Sequence, residues 1–271
     1  MRQIILHGGV GSSEELSGLL DKYASYSINY ETPLDAVVAA VKYMEDDLNF
    51  NAGTGSVMRL DGSVQMDAAV MVDGNFGSVI NIEFVKNPVQ VAREVMETSP
   101  HVILSGDGAT KFAMEKGHPH YDPSTDRARK RLEESRIIAT KDSRFLFPGS
   151  ISVDTVGAVA NFDGKIAAAI STGGSSPMMR GRVGDTPIPG SGILVKNGFG
   201  IAATGVGEEI IRKQLSYDLY CARDSLEEEW KEIGEKSQFA LGAVGFNNDR
   251  SFILSNRSMA SGFSKSQQHS K

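Results

Sequence analysis

The amino-acid sequence predicts an α+β fold built from antiparallel sheets. Three pairs of strand-like segments each enclose a two-residue turn: Asp163-Gly164, Asn197-Gly198 and Asn248-Asp249. Such short turns join antiparallel strands, whereas parallel strands need a crossover of a dozen or more residues. Segments with helical spacing of apolar residues stand in separate groups and do not alternate with the strands. Hairpins and grouped helices together favour α+β over a repeating βαβ fold.

The first 116 residues predict a strand, several helices and one further hairpin. Residues 1–7 indicate the first strand. Ser12 followed by Glu15 is typical of a capping box that starts a helix. Thr32-Pro33 and Asn87-Pro88 each start another helix, because proline is favoured at the first helical position. The remaining elements are a hairpin of residues 56–60 and 63–67 around Asp61-Gly62, a short buried segment at 102–104 and a helix at 108–116.

Residues 118–152 form a long charged connection. The segment holds three prolines and the basic run 127–131. Such a run is typical of a solvated, partly helical face, and the alternative is a nucleic-acid patch. A long, loosely structured connection inside a compact domain is often functional. This one ends directly before Thr155, where a linker to a cleavage point is expected.

The second half returns to strands and helices. Its hairpins are predicted at 155–161 with 165–171, at 192–196 with 199–203, and at 239–246 with 251–256. Two helices are predicted between the last two hairpins, at about 207–222 and 226–236. The sequence contains no internal repeat.

Composition limits the classes of protein that the chain can represent. The chain has 271 residues, of which 40% are hydrophobic and 23% charged, which is typical of a soluble domain. A net charge of −6 argues against nucleic acid or an anionic membrane as the main partner. No segment approaches the ~18 apolar residues of a membrane span, and the first residues do not form a signal peptide. The single cysteine, Cys221, is interpreted as a packing residue and suits a reducing compartment, so we expect a cytoplasmic protein.

Thr155 is the residue with the most specific chemistry. A threonine hydroxyl is a weak nucleophile without an adjacent base. Cleavage of the chain before Thr155 would free its α-amino group as that base. Such amines titrate near ~7.7–8.0 in short peptides, so a useful fraction is unprotonated at neutral pH. Taken alone, the position equally fits an ordinary strand residue, because threonine is common in strands.

Five short motifs occur along the chain around Thr155. They are His7-Gly8-Gly9-Val10-Gly11, Phe50-Asn51-Ala52-Gly53, Ser171-Thr172-Gly173-Gly174, Gly181-Arg182-Val183-Gly184-Asp185-Thr186-Pro187 and Ala203-Thr204-Gly205-Val206-Gly207-Glu208. In this order they resemble the plant-type asparaginase / isoaspartyl peptidase family of N-terminal-nucleophile hydrolases. The resemblance covers roughly residues 4 to 263. Each motif is weak alone, and the five in order are a strong signal.

The resemblance implies a four-layer αββα sandwich, in which two antiparallel sheets are stacked with helices outside. It implies that the Thr155 hydroxyl attacks the Asp154 carbonyl and that the resulting ester is hydrolysed. A single domain, 1–271, would thereby divide into an α subunit, 1–154, and a β subunit, 155–271. The implied activity is hydrolysis of L-asparagine and of β-aspartyl dipeptides without an organic cofactor. The implied assembly is a homodimer of αβ units.

The resemblance also assigns roles near the nucleophile. The Thr172 hydroxyl would orient Thr155, while the Thr204 hydroxyl and the Gly205 N–H would form an oxyanion hole. Losing one such donor typically costs about 10²–10³ in rate. Asn51 is expected near the same site, and the resemblance assigns both Asn51 and Gly205 to substrate binding as well. The alternative for residues 205–207 is a phosphate cradle, which lacks the rest of a dinucleotide-binding motif.

Arg182 and Asp185 are the predicted substrate clamp. Arginine offers a planar fork for a substrate carboxylate, and aspartate offers a countercharge for an ammonium group. An amino acid carries both groups on one carbon, so the pair suits an amino-acid-like substrate. The alternative is that these two side chains, three residues apart, pair with each other.

Two further features follow from the resemblance. The loop from Met44 to Thr54 resembles one that binds a structural sodium ion through backbone carbonyls. The residues assigned to it are Met44, Glu45, Asp47, Phe50, Ala52 and Thr54. His7 is interpreted as structural, with a hydrogen bond that fixes the Gly8-Gly9 turn, because no zinc-like spacing surrounds it.

Asp154 separates this chain from the many family members that carry glycine before the threonine. Aspartate there resembles glycosylasparaginase, which cleaves a sugar–asparagine bond, and this enzyme is the alternative within the same chemistry. A further alternative is an uncleaved, non-catalytic relative that binds amino acids through Arg182 and Asp185.

Overall fold

The computed structural model describes residues 1–141, 155–176 and 178–266. Its strands are β1 (Arg2–Val10), β2 (Met66–Val72), β3 (Asn75–Ile82), β4 (Ile103–Ser105), β5 (Val156–Phe162), β6 (Lys165–Thr172), β7 (Ile193–Lys196), β8 (Phe199–Gly205), β9 (Leu241–Asn247), β10 (Arg250–Ser255) and β11 (Met259–Ser266). Its helices are α1 (Ser17–Ser27), α2 (Pro33–Glu45), α3 (Pro88–Thr98), α4 (Gly106–Glu115), α5 (Asp126–Lys141), α6 (Gly207–Lys213), α7 (Leu215–Cys221) and α8 (Leu226–Trp230).

The strands form two stacked sheets. One sheet has the order β11-β1-β5-β6-β2-β3-β4, and the other has the order β10-β9-β8-β7. All neighbouring strands are antiparallel except β3 and β4, which are parallel. Helices α1, α2 and α3 cover the outer face of the larger sheet, while α6 and α7 pack on the smaller sheet. The predicted four-layer αββα sandwich is therefore confirmed, with one parallel pair at its edge.

The central strands are buried on both faces. Every residue of β5 and of β8 is buried, so neither strand alternates between buried and exposed positions. Such uniform burial is expected where helices cover one face of a sheet and a second sheet covers the other. One apolar cluster lies between the two sheets and another lies under α1, α2 and α3.

Most predicted elements are confirmed within one or two residues. The turns Asp163-Gly164 and Asn197-Gly198 join β5 to β6 and β7 to β8, and β9 and β10 form the third hairpin. Thr32 caps α2 by accepting the Asp35 N–H at 3.1 Å. No helix among the residues that the structure describes has the length and apolar character needed to cross a membrane.

Several local predictions are wrong. Residues 56–60 form no strand, although a turn at Asp61-Gly62 is present, and the hairpin of this region is β2–β3. The segment 102–104 is largely exposed rather than buried. The cap before the first helical turn is Ser13, which accepts the Glu15 N–H, and not Ser12.

The predictions for the second half need two corrections. Residues 207–222 form two short helices, because Gln214 adopts a left-handed conformation with φ of 50° between them. Cys221 ends the second of these helices but is exposed, so it is not a packing residue.

Residues 126–141 of the long connection form α5, a regular helix of 16 residues.

Candidate active site

Thr155 lies immediately before β5 and is buried. Its hydroxyl lies 3.3 Å from the Thr172 hydroxyl at the end of β6 and donates a hydrogen bond to it. The β5–β6 hairpin explains this contact, because its register pairs Val156 with Ser171 and so brings the preceding threonine opposite Thr172. The Thr172 oxygen also accepts the Gly174 N–H at 2.9 Å. The two predicted threonines therefore meet as a buried hydroxyl pair.

Asn51 holds the loop that follows β6. Its carbonyl accepts the Gly173 N–H at 2.8 Å, and its side-chain amide donates to the Gly174 carbonyl. The side-chain oxygen of Asn51 accepts the Val57 N–H at 2.9 Å. Since Gly174 also contacts Thr172, the described contacts link Asn51 to the threonine pair through one short loop.

Thr204 and Gly205 end β8 on the smaller sheet. The two sheets touch where a Cβ added to Gly157 would lie 2.9 Å from the Ala202 Cβ. Thr155 lies two residues before Gly157, and Thr204 lies two residues after Ala202. Because side chains two residues apart in an extended strand share a face, each threonine lies on the same face as its neighbour in this contact. The Thr204 hydroxyl accepts the Val10 N–H at 3.2 Å and is fully buried. The Thr204 hydroxyl accepts in this bond, so its own hydrogen can still be donated to another acceptor.

Gly205 adopts a backbone conformation that favours glycine. Its φ is +146°, and a Cβ at this position would collide with the Ala240 carbonyl oxygen. A glycine here therefore allows β8 to end close against the segment before β9. The next N–H along the chain, of Val206, donates to the Ala240 carbonyl at 3.0 Å.

Arg182 and Asp185 lie together but do not form the predicted alternative ion pair. The Arg182 guanidinium donates from Nε and Nη2 to the two carboxylate oxygens of Glu208, at 3.0 and 2.9 Å. The side chain of Asp185 is buried, and its Oδ2 atom has no hydrogen-bond partner among the residues that the structure describes. Burial raises the pKa of this carboxyl to about 7, and the nearby Arg182 opposes the increase. A Cβ added to Gly207 would lie 2.8 Å from Arg182 Nη2 and 2.9 Å from Asp185 Oδ1.

Asp67 and Arg59 are buried charged residues that no sequence motif identified. Asp67 on β2 lies directly opposite Thr172 on β6, so their side chains share one face of the sheet. Burial raises the Asp67 pKa, while the hydrogen bond from the Asn81 N–H, 2.7 Å long, and the charges of Arg59 and Arg182 oppose the increase. Asp67 therefore lies between the threonine pair and the residues of the predicted clamp. The register of β2 with β6 shows that Asp67 lies at this position. No pattern in the sequence alone indicates it.

The predicted role of His7 is wrong in its detail. No hydrogen bond among the described residues joins a ring nitrogen of His7 to the Gly8-Gly9 turn, so the ring does not fix that turn. The register of β1 with β5 instead pairs His7 with Gly157, and the ring lies against the Cα of that glycine. Complete burial lowers the His7 pKa to about 3, with a weaker opposing effect from the Thr155 backbone. The ring is therefore neutral near pH 7 and packs beside Gly157, two residues from Thr155.

The loop predicted to hold sodium is compact and rich in carbonyl groups. The Phe50 N–H donates to the Asp47 carbonyl at 3.2 Å, and the Gly55 N–H donates to the Ala52 carbonyl at 3.0 Å. Each carbonyl oxygen has a second acceptor position, and hard cations prefer such oxygen ligands. The donor set of this loop therefore fits a sodium ion.

Glu45, in the same loop, has its side chain fully buried. One carboxyl oxygen accepts from the Ser171 hydroxyl at 2.7 Å and from the Val89 N–H at 3.0 Å. Burial raises the pKa of this carboxyl to about 8, and these hydrogen bonds oppose the increase. The contact ties the end of α2 to the residue before Thr172.

A sandwich of two stacked sheets between helices, with a buried threonine at the start of a central strand, defines the class of N-terminal-nucleophile hydrolases. Residues 4–247 match the model of the asparaginase family. The chain belongs to this family. Asp154, which precedes the threonine, lies outside the described residues.

Curated relatives match most of the chain. The plant-type L-asparaginase of Pyrococcus furiosus is 43% identical over 239 residues, which cover 80% of this chain and 78% of that protein. The isoaspartyl peptidase of Escherichia coli is 35% identical over 271 residues, covering 89% and 84%. The isoaspartyl peptidase/L-asparaginase of Rattus norvegicus is 38% identical over 230 residues, covering 79% and 68%.

Proposed function

We propose that this protein is a self-cleaving amidohydrolase that converts L-asparagine to L-aspartate and ammonia and cleaves β-aspartyl dipeptides. The observation that carries the proposal is the buried hydroxyl contact of 3.3 Å between Thr155 and Thr172 at the start of β5. Relatives named as plant-type L-asparaginases and isoaspartyl peptidases support the same activities.

In the proposed reaction, Thr155 is the nucleophile and its α-amino group is the base. Cleavage between Asp154 and Thr155 frees this amine and leaves the subunits 1–154 and 155–271. The Thr155 hydroxyl attacks the side-chain amide carbon, the amine carries the proton to the leaving group, and water then releases aspartate. No organic cofactor takes part in these steps.

The other site residues bind the substrate and the developing charge. Thr204 and Gly205 donate to the oxyanion, since the Thr204 hydroxyl uses only its acceptor capacity on Val10. Arg182 binds the substrate carboxylate and Asp185 its ammonium group. Asn51 keeps the loop after Thr172 in place through two backbone contacts, with Gly173 and Gly174, and it holds Val57 through a third.

A substrate panel tests the proposed activity. Purified, processed protein is given L-asparagine, a β-aspartyl dipeptide, the matching α-aspartyl dipeptide and N4-glycosylated asparagine, and the released ammonia or amino acid is measured. We expect hydrolysis of the first two and none of the α-linked control. Hydrolysis of only the glycosylated substrate would support a glycosylasparaginase. Binding of aspartate by one uncut chain, with no hydrolysis, would support a non-catalytic amino-acid-binding protein.

The raised pKa of Asp185 predicts how substrate binding depends on pH. A carboxyl with a pKa of about 7 is neutral below that pH and then offers no countercharge for an ammonium group. The KM for L-asparagine is therefore expected to fall as pH rises, by about tenfold between pH 6 and pH 8. Succinamate lacks the ammonium group, so its inhibition constant should stay nearly constant over the same range. An equal pH dependence for both compounds would remove Asp185 from ammonium binding.

A sodium ion in the loop from Met44 to Thr54 is proposed to stabilise the fold without taking part in the reaction. Thermal melting in sodium chloride should occur at a higher temperature than in choline chloride of equal ionic strength, because an ion that binds only the folded state stabilises it. Equal melting temperatures in the two salts would contradict a sodium site.

The proposed assembly is a homodimer of αβ units, and light scattering of the processed protein measures its mass. We propose a cytoplasmic setting, supported by Cys221, because an exposed free thiol suits a reducing compartment. Nucleic acid and membranes are not proposed as partners, since the net charge of the chain is −6.

A further inference from the structure

Glu208 is a polar residue of the site that the proposed reaction does not use. It follows Thr204 and Gly205 by only a few residues, because β8 ends at Gly205 and α6 begins at Gly207. This tight connection brings a carboxylate of the smaller sheet's helix layer to the side chain of Arg182. Both hydrogen bonds between them are short and join the two donors of one guanidinium edge to the two oxygens of one carboxylate.

The pair is shielded from solvent and therefore differs from an ordinary surface ion pair. The Arg182 side chain is 17% exposed and the Glu208 side chain is 26% exposed. The neighbouring residue on α6, Glu209, is 17% exposed, but the arginine that it bonds, Arg212, is 68% exposed. An ion pair with an exposed arginine, such as Glu209–Arg212, contributes little to stability, whereas a shielded bidentate pair such as Arg182–Glu208 fixes the plane of the guanidinium.

Arginine has five N–H donors, and Glu208 occupies the edge formed by Nε and Nη2. The outer edge, formed by Nη1 and the second hydrogen of Nη2, has the two parallel donors needed for a substrate carboxylate. A Cβ on Gly207 would lie 2.8 Å from Nη2 and 2.9 Å from Asp185 Oδ1, so glycine at this position allows Arg182 and Asp185 to approach the same point. The carboxylate edge of Arg182 and the carboxyl of Asp185 thus border the same small space.

We infer that Glu208 is a positioning residue that holds the guanidinium of Arg182 so that its outer edge meets the substrate α-carboxylate. The inference rests on the proposed function, since it assigns to Glu208 the orientation of the substrate clamp. It also predicts specificity: substrates with a free α-carboxylate depend on Glu208, and substrates in which that group is blocked do not.

The test compares Glu208→Gln with Glu209→Gln on two substrates. Glutamine is nearly isosteric with glutamate, but its amide donors face the donors of Arg182, so the bidentate pair is lost. With L-asparagine, Glu208→Gln should raise KM about tenfold, the effect of one lost charge-assisted hydrogen bond, and change kcat less than twofold. With L-asparagine α-amide, whose carboxylate is blocked, the same substitution should leave KM within twofold. Glu209→Gln, on the same helix, should change neither constant.

Several outcomes would overturn the inference. An unchanged KM for asparagine in Glu208→Gln, or an equal loss on both substrates, would mean that Glu208 acts only on the fold. Glu208→Asp keeps the charge and should recover part of the lost affinity, and no recovery would also count against the inference. If wild-type protein hydrolyses neither substrate, the proposed function fails, and calorimetric binding of L-aspartate then makes the same comparison between the variants. Absence of aspartate binding by wild-type protein would end both proposals.

Discussion

Thr155→Ala is expected to remain one uncut chain of 271 residues with no measurable hydrolysis. The substitution removes the hydroxyl that would attack the preceding carbonyl, so no new amino terminus forms. It also removes the proposed nucleophile of the processed enzyme, and loss of a nucleophile typically costs on the order of 10⁴-fold or more in rate. Intact mass spectrometry after incubation at the working temperature should give two fragments for the wild-type chain, the second beginning at Thr155, and one full-length mass for the variant.

The fold should survive this substitution. The Thr155 hydroxyl makes one described hydrogen bond, of 3.3 Å, and its loss costs about 1 kcal/mol. The melting temperature is therefore expected to change by only about 2–4 °C. Thr155→Ser retains a hydroxyl and should still be cleaved, which separates loss of the nucleophile from loss of the side chain. Normal asparagine hydrolysis by Thr155→Ala would refute the nucleophile assignment.

The sequence predicted the features that depend on local chemistry. Asp163-Gly164 specifies a tight turn, and this turn alone fixes the register that brings Thr155 opposite Thr172. Thr32 and Pro33 likewise specify a helix start from neighbouring residues only. Such features need no knowledge of the rest of the fold, so a single sequence is sufficient to find them.

The features that were missed depend on distant parts of the chain. Glu208 bonds Arg182, which lies 26 residues earlier in the chain. Asp67 lies opposite Thr172 because β2 and β6 are neighbours in the larger sheet. The break at Gln214 lies inside a regular helical pattern, and the helix after it, α7, carries the buried Leu215 and packs on the smaller sheet. His7 illustrates the same limit, because the turn beside it suggested a local hydrogen bond while the sheet register placed it against Gly157.

Thr204→Val is expected to lower kcat by about 10²–10³ while KM changes little, the effect of losing one oxyanion donor. Valine replaces the hydroxyl by a methyl group of similar size, so the buried volume at the end of β8 is kept. The substitution also leaves the Val10 N–H without its acceptor at 3.2 Å, which costs about 1–3 kcal/mol of stability.

Thr110→Val separates these two effects. The Thr110 hydroxyl also accepts a backbone N–H at 3.2 Å, that of Glu83, but it lies on α4 at the edge of the larger sheet. Both variants should therefore melt at a lower temperature than wild type, and only Thr204→Val should lose turnover when both are assayed well below their melting temperatures. Equal kcat values in the two variants would show that the Thr204 hydroxyl stabilises β1 against β8 and does not bind the oxyanion. A loss of kcat confined to Thr204→Val would not be explained by lost stability, because Thr110→Val loses a similar backbone N–H bond and also the bond that the hydroxyl donates to the Glu83 carbonyl.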